Sequence, residues 1–82
     1  MHFCYILYSK QLDRFYIGST SDSLQSRLNK HNSNHKGYTG SVNDWQVVYS
    51  ETFETVIEAR KREREIKAKK SRKYIEKLIA LN

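Results

Sequence analysis

The sequence predicts an α+β domain in which a small three-stranded antiparallel sheet is flanked by helices, in the order β-β-α-β-α-α. The first observation behind this prediction is a set of three short runs rich in aromatic and aliphatic residues. The second is a set of three segments that each begin near a helix-capping residue and continue with helical spacing. The third is the length of 82 residues, from which we expect residues 1–82 to form a single domain.

The first two strands are predicted to form an antiparallel hairpin. Residues 3–8 (FCYILY) are apolar or aromatic throughout and too few for a helix, so we expect a strand buried on both faces. The polar residues 9–14 form a turn, and residues 15–19 (FYIGS) form the second strand. Gly18 marks either a strand end or bulge, or a place where backbone or ligand approaches closely.

The first helix is predicted over residues 23–31, with Asp22 as its N-cap and Gln25 completing a capping box. Residues 32–43 (NSNHKGYTGSVN) hold two of the three glycines, and we expect them to form a long loop with a functional role. Residues 45–50 (WQVVYS) follow as the third strand, whose alternation buries one face better than the other.

The second helix is predicted from Thr55 to about Lys70, with Thr55 as N-cap and Glu58 completing a capping box. Ser71 is predicted to cap a third helix. The apolar face of this third helix consists of Tyr74, Ile75, Leu78, Ile79 and Leu81.

The charge of the chain is positive and unevenly distributed. The net charge is +6, and between Arg60 and Lys73 there are nine basic residues but only two acids. Such a field favours a polyanion, most commonly nucleic acid, although a solvated basic helix would have the same composition. The candidate nucleic-acid-binding residues are Lys61, Arg64, Lys67, Lys69, Lys70, Arg72 and Lys73.

The cysteine content and the hydropathy bear on the compartment. A single cysteine, Cys4, excludes an internal disulfide and a multi-cysteine zinc site. We find no signal-peptide pattern and no apolar run long enough to span a membrane. The sequence therefore predicts a cytoplasmic protein without a membrane partner.

Two helices carry charged or titratable residues on their predicted apolar faces. In the first helix, Arg27 and His31 share one face with Leu24 and Leu28, at the i, i+3, i+4, i+7 spacing. A charge in this position is unfavourable unless it is paired or binds a ligand.

The second helix shows the same anomaly at Glu63. Its inward stripe consists of Val56, Ala59, Glu63 and Ile66. Glu65 lies about 200° round the helix from Glu63 and is expected to face water. Glu63 and Glu65 are therefore predicted to lie in different environments.

Two interpretations of these inward charges remain open. Arg27 and Glu63 could form a structural ion pair. Alternatively, they could lie with His31 in a cleft that acts on a phosphodiester, because arginine binds phosphate, a carboxylate holds Mg²⁺, and tyrosine or histidine accepts a proton from water. Tyr5 and Tyr16, on adjacent strands, either pack in the core or extend this cleft.

The chain resembles the GIY-YIG nuclease family. Residues 3–5 (FCY) and 16–18 (YIG) resemble its two half-motifs, although only the tyrosine of the first half-motif is kept. The helix over residues 23–31 resembles the family helix with a catalytic arginine and a following histidine, and residues 58–67 resemble the helix with the metal-binding glutamate. The dipeptide Tyr38-Thr39 is similar to one common in small members.

The resemblance implies hydrolysis of a DNA phosphodiester with one divalent cation, Mg²⁺ or Mn²⁺. It implies that Glu63 holds the cation and Arg27 binds the scissile phosphate. Tyr5 or Tyr16 would activate or position the water, and His31 would orient that tyrosine or contact phosphate. Gly18 would support the site. The same domain occurs in the excision-repair nuclease subunit, which implies a role in DNA repair.

Two other functions remain as alternatives. A non-catalytic nucleic-acid-binding module would use the same basic stretch without turnover, and a protein-interaction module would use tyrosine and arginine side chains as anchors. For a nuclease, branched and damaged DNA are candidate substrates. We expect specificity to come from the loop 32–43, the basic helix, a protein partner or a dimer.

Overall fold

A computed structural model describes residues 1–33 and 42–81 of the chain. The elements are β1 (His2–Ser9), β2 (Arg14–Thr20), α1 (Leu24–Asn32), β3 (Gln46–Phe53), α2 (Val56–Lys69) and α3 (Arg72–Ala80). The predicted order β-β-α-β-α-α is thus confirmed. Most of the predicted loop 32–43, including Tyr38-Thr39, lies outside the described residues. No helix in the described part of the chain is long and apolar enough to cross a membrane.

The three strands form one antiparallel sheet in the order β2-β1-β3. The central strand β1 is buried on both faces, as its composition predicted, with Cys4, Tyr5, Ile6 and Leu7 each at most 1% exposed. The outer strands β2 and β3 each pair with β1 only. The fold is therefore the predicted α+β arrangement.

A β-bulge corrects the predicted alternation of the third strand. Ile6 pairs with Tyr49 but Leu7 pairs with Val47, so Val48 is the extra residue. Val47 consequently packs on the same side as Trp45, whereas Tyr49 packs on the opposite side of the sheet. The strict alternation predicted for residues 45–50, which would put Trp45 and Tyr49 on one face, was wrong, because an inserted residue reverses the alternation beyond it.

The two faces of the sheet carry separate apolar clusters. On one face, Cys4 and Ile6 pack against Ile66 of α2 and against side chains of α3. On the other face, Tyr5 and Leu7 pack with Trp45 and with the leucines of α1. The helix α1 therefore covers one face of the sheet, and α2 and α3 cover the other.

The predicted N-caps of the second and third helices are confirmed. The hydroxyl of Thr55 accepts a hydrogen bond from the Glu58 amide, and that of Ser71 accepts one from the Tyr74 amide, both at 3.2 Å. These bonds satisfy amides that have no partner inside the helix. Helix α2 ends at Lys69, and its C-cap is the left-handed Lys70, directly before Ser71.

The predicted N-cap of the first helix was wrong. Ser23 caps α1, since its hydroxyl accepts a hydrogen bond from the Ser26 amide at 3.1 Å. Asp22 lies one residue too early to reach that amide, and its carboxylate instead lies 4.0 Å from the Lys30 ammonium on the surface. The helix therefore begins at Leu24.

Two residues of the predicted apolar faces are exposed. Leu81 is 77% exposed because α3 ends at Ala80, one residue before it. Val56 is 38% exposed although it lies on the inward stripe of α2, because it is the first residue of the helix. The other predicted positions of both faces are buried or half-buried.

Candidate active site

The hydroxyl of Tyr5 is buried between β1 and α1. Tyr5 is 1% exposed and His31 is 6% exposed. The Tyr5 hydroxyl and the Nε2 atom of His31 are hydrogen-bonded at 3.0 Å. This bond gives a buried polar group the partner that it needs and fixes the tyrosine ring relative to α1.

Gly18 makes room for this tyrosine. It pairs with Tyr5 across the β1–β2 ladder. A Cβ atom at Gly18 would lie 2.6 Å from the Tyr5 hydroxyl and 3.1 Å from a ring carbon of Tyr16. Gly18 lies inside β2 and not at its end, so a close side-chain approach accounts for the glycine.

Tyr16 lies beside the same histidine but is more accessible. Its ring centroid is 4.6 Å from that of His31 and 6.5 Å from those of Tyr5 and Trp45. Tyr16 is half-buried, whereas Tyr5 is fully buried. The two tyrosines of the half-motifs therefore meet in one aromatic cluster, with different access to solvent.

Arg27 lies next to this cluster with an unsatisfied donor. Its Nε atom is buried and has no hydrogen-bond partner among the described residues. Burial raises the pKa of the Tyr5 hydroxyl, and the nearby Arg27 guanidinium offsets only part of this rise. A buried donor without a partner is unfavourable, which makes Arg27 a candidate for binding an anionic ligand.

Glu63 lies on the other side of β2, at the face covered by α2. Its Oε1 accepts a hydrogen bond from the Ser19 hydroxyl at 2.6 Å, and its Oε2 accepts one from the Lys67 ammonium at 2.5 Å. Its side chain is 20% exposed, compared with 52% for Glu65. Glu63 thus faces inward relative to Glu65, as the helical spacing predicted.

The ion pair between Arg27 and Glu63, one of the two interpretations left open by the sequence, is not formed. Glu63 pairs with Lys67, and Arg27 takes part in no ion pair within the described residues. Successive residues of β2 point to opposite faces, so Gly18 lies toward Tyr5 and Ser19 toward Glu63. The structure therefore holds Glu63 on the opposite side of the edge strand β2 from the other predicted catalytic residues. These four lie together: Tyr5, Tyr16, Arg27 and His31.

The carboxylate of Glu63 has a small effect on the aromatic cluster. Burial is the main cause that raises the pKa of Tyr5, and the negative charge of Glu63 adds to that rise. Ser19, which fixes the carboxylate, was missed as a site residue by sequence reasoning. Its position directly after the YIG half-motif, opposite Cys4 in the sheet, is the signal that could have identified it.

One carboxylate is available for a cation at this position. No group of three or more histidine, cysteine, aspartate or glutamate side chains could hold a metal ion within residues 1–33 and 42–81. A single carboxylate fits Mg²⁺, which keeps most of its waters when protein-bound. The Lys67 ammonium neutralises Glu63 from a side chain that is 51% exposed, so this pairing is weakened by solvent.

The predicted nucleic-acid-binding residues have different surroundings. Lys67 pairs with Glu63, and Arg72 pairs with Asp13 at 2.7 Å. Lys69 lies over the ring of Tyr74, with its Nζ 5.4 Å from the ring centroid. The remaining candidates are exposed and form no ion pair in the described part of the chain: Lys61, Arg64, Lys70 and Lys73.

A hollow of about 400 Å³ opens beside Glu63 and is lined by Arg60 and Arg64. Arg60 lies three residues before Glu63 on α2 and was not among the predicted contacts. The i, i+3 spacing is the signal that places Arg60 on the same side of the helix as the carboxylate.

Comparison with protein-family models matches residues 1–75 to the GIY-YIG catalytic domain. No curated protein and no solved structure gives a significant match. The matched residues extend from β1 into α3, so they include both half-motifs, Arg27, His31 and Glu63.

Proposed function

Because the chain belongs to the GIY-YIG family, whose members are nucleases that hydrolyse DNA phosphodiester bonds, we propose that it is a metal-dependent DNA endonuclease. The observation that carries this proposal is the state of Arg27, which is half-buried beside Tyr5 with an unpaired Nε. An arginine kept only for structure would be expected to pair with an acid, as Arg62 pairs with Glu51 at 2.9 Å.

In this proposal Arg27 binds the scissile phosphate. A planar guanidinium can donate two parallel hydrogen bonds to phosphate oxygens and remains charged at every relevant pH. Its half-buried position strengthens its interaction with the negative charge that develops on the phosphate in the transition state. Arg27 therefore acts as the electrostatic stabiliser of the reaction.

Glu63 is the proposed ligand of one divalent cation, Mg²⁺ or Mn²⁺. Nucleases of this family generally use divalent metal ions. When bound, the cation supplies charge stabilisation and polarises the phosphate. Ser19 holds one carboxylate oxygen in place by its hydrogen bond, and a cation on the other oxygen would take the place of the Lys67 ammonium.

We assign the water-activating role to Tyr16 and a positioning role to Tyr5. The assignment is supported by access, because Tyr16 is half-buried while Tyr5 is 1% exposed and hydrogen-bonded to His31. Burial also raises the pKa of Tyr5, which opposes ionisation of its hydroxyl. His31, in contact with both tyrosine rings, orients them.

The proposed substrate is DNA, with branched and damaged DNA as the forms to test first. The net charge of +6 and the exposed basic residues of α2 and α3 support a polyanionic substrate. We propose a role in DNA repair in a reducing cytoplasm, with a protein partner contributing specificity. The single free cysteine, Cys4, agrees with a reducing compartment.

The test is a cleavage time course on supercoiled plasmid with Mg²⁺ or Mn²⁺, in which wild type is compared with Glu63→Gln. The amide keeps the shape of the side chain and removes the charge that holds the cation. We expect wild type to nick the plasmid and the variant to bind DNA without nicking it. If wild type binds DNA but cleaves neither plasmid nor branched DNA, the chain is a nucleic-acid-binding module and the proposal is wrong.

A further inference from the structure

A groove of about 420 Å³ lies between the edge strand β2 and the corner where α2 turns into α3. Its floor is apolar and is formed by Phe15, Ile17, Ile66 and Ile75. Its rim is basic and carries Arg14, Lys67, Lys70 and Arg72. A basic rim around an apolar floor matches the sugar–phosphate backbone of a nucleic acid, which has charged phosphates and less polar sugars.

The positive charge of this groove is neutralised at two of its four cations, Lys67 and Arg72. Asp13 is its only acid, and its carboxylate is already bound by Arg72 at 2.7 Å and by the Tyr8 hydroxyl at 2.6 Å. Arg14 and Lys70 are exposed and form no ion pair within the described residues. Two cations of the rim are therefore available for an anionic ligand.

Lys70 holds its position in an unfavourable backbone conformation. It has a φ of 46° and a ψ of 39°, in the left-handed region that glycine and asparagine adopt most readily. Glycine is the common residue at such a helix end. Lys70 lines the groove at this helix end.

We propose that this groove binds the backbone of the DNA, with Arg14 and Lys70 as its phosphate ligands. Recognition of stacked single-stranded bases is disfavoured, because it needs an accessible aromatic face. The Phe15 ring is instead covered by the Arg72 guanidinium, 5.1 Å from its centroid, and packs on Tyr8 at 4.9 Å. Backbone contacts of this kind position a duplex without reading its sequence.

Lys67 connects the groove to the candidate active site. It lines the groove and also donates a hydrogen bond to Glu63. A backbone held by Arg14 and Lys70 is thereby directed along β2 toward the carboxylate. The inference rests on the proposed function in that DNA is taken as the ligand, but it concerns binding and not hydrolysis.

The test measures binding of a short labelled duplex by fluorescence anisotropy in EDTA at several salt concentrations. The test variant is Arg14→Gln/Lys70→Asn, which removes both phosphate ligands. Asparagine is chosen for position 70 because it tolerates the left-handed backbone conformation found there. We expect the Kd of this variant to rise about tenfold or more. The slope of the logarithm of its binding constant against the logarithm of salt concentration should fall in magnitude by about 2. The matched control, Lys10→Gln/Lys77→Gln, loses the same charge outside the groove and should change Kd by less than about threefold.

A second variant separates binding from stability. Lys70→Gly should weaken binding while its thermal midpoint stays the same or rises, because glycine adopts this backbone conformation without strain. A groove variant that binds as the control does, or a wild type without affinity for the duplex, would overturn the inference. Since EDTA removes the cation, the result stands whether or not wild type cleaves DNA.

Discussion

The two faces of the sheet differ in how their charged side chains are paired. On the face covered by α2 and α3, Glu51 accepts hydrogen bonds from Arg62 at 2.9 Å and from Tyr49 at 2.5 Å, and Arg62 also donates to Tyr74 at 3.4 Å. On the face covered by α1, the buried Nε of Arg27 has no partner among the described residues. The two half-buried arginines therefore differ: the paired guanidinium of Arg62 indicates a structural role, and the unpaired Nε of Arg27 indicates a site for a ligand.

The largest expected effect is the loss of cleavage rate when Arg27 is replaced. The substitution Arg27→Met should lower the cleavage rate by about 10²–10³-fold, the usual effect of removing one electrostatic donor from a transition state. The thermal midpoint should stay the same or rise, because an unsatisfied buried donor is removed. Parallel cleavage assays and thermal melts check both parts. A large fall in midpoint with undiminished cleavage would show that Arg27 is structural.

The next effect concerns the contact between Gly18 and Tyr5. The substitution Gly18→Ala should reduce the free energy of unfolding by about 1–3 kcal/mol, because its Cβ collides with the buried tyrosine. Urea unfolding measures this loss. The comparison is the same substitution in a Tyr5→Leu background, which lacks both the hydroxyl and the ring carbon that the Cβ would meet at 2.6 and 2.7 Å, so alanine should cost less stability there. If alanine costs as much in that background, the close contact is not the cause.

A smaller effect is expected at the paired arginine of the opposite face. The substitution Arg62→Met should reduce the free energy of unfolding by about 1–2 kcal/mol, since Glu51 and Tyr74 each lose a partner. This expected loss is small for a hydrogen-bonded charge, because the Arg62 side chain is 22% exposed and solvent partly screens its charge. Denaturant unfolding gives the number. Arg64→Met, at an exposed position on the same helix, is the control and should stay within about 0.5 kcal/mol.

The smallest effect is expected on cation affinity at Glu63. The substitution Lys67→Met removes the ammonium that neutralises the carboxylate and should tighten Mn²⁺ binding by about two- to fivefold, in line with a half-exposed ion pair. Calorimetric titration without DNA measures this change directly. Lys61→Met removes the same charge from α2 without touching Glu63, so an equal gain in that variant would argue against direct competition by Lys67.

Much of the fold could be predicted because it depends on local pattern. The order of the elements and the caps at Thr55 and Ser71 follow from spacing and from side chains within three residues. The bulge at Val48 could not be predicted, since it depends on how two strands meet. The cap at Ser23 was missed because two adjacent residues suit the role equally and only the backbone path selects one.

The sequence by itself determined which side of its own helix each candidate site residue occupies. Glu63 faces inward relative to Glu65, and Arg27 and His31 share the face of α1 that meets the sheet. Only the tertiary structure decided that α1 and α2 cover opposite faces, so that Arg27 and Glu63 do not pair and Ser19 holds the carboxylate instead. Helical periodicity fixes a residue's direction relative to its helix axis, whereas the partner it meets depends on packing between distant segments.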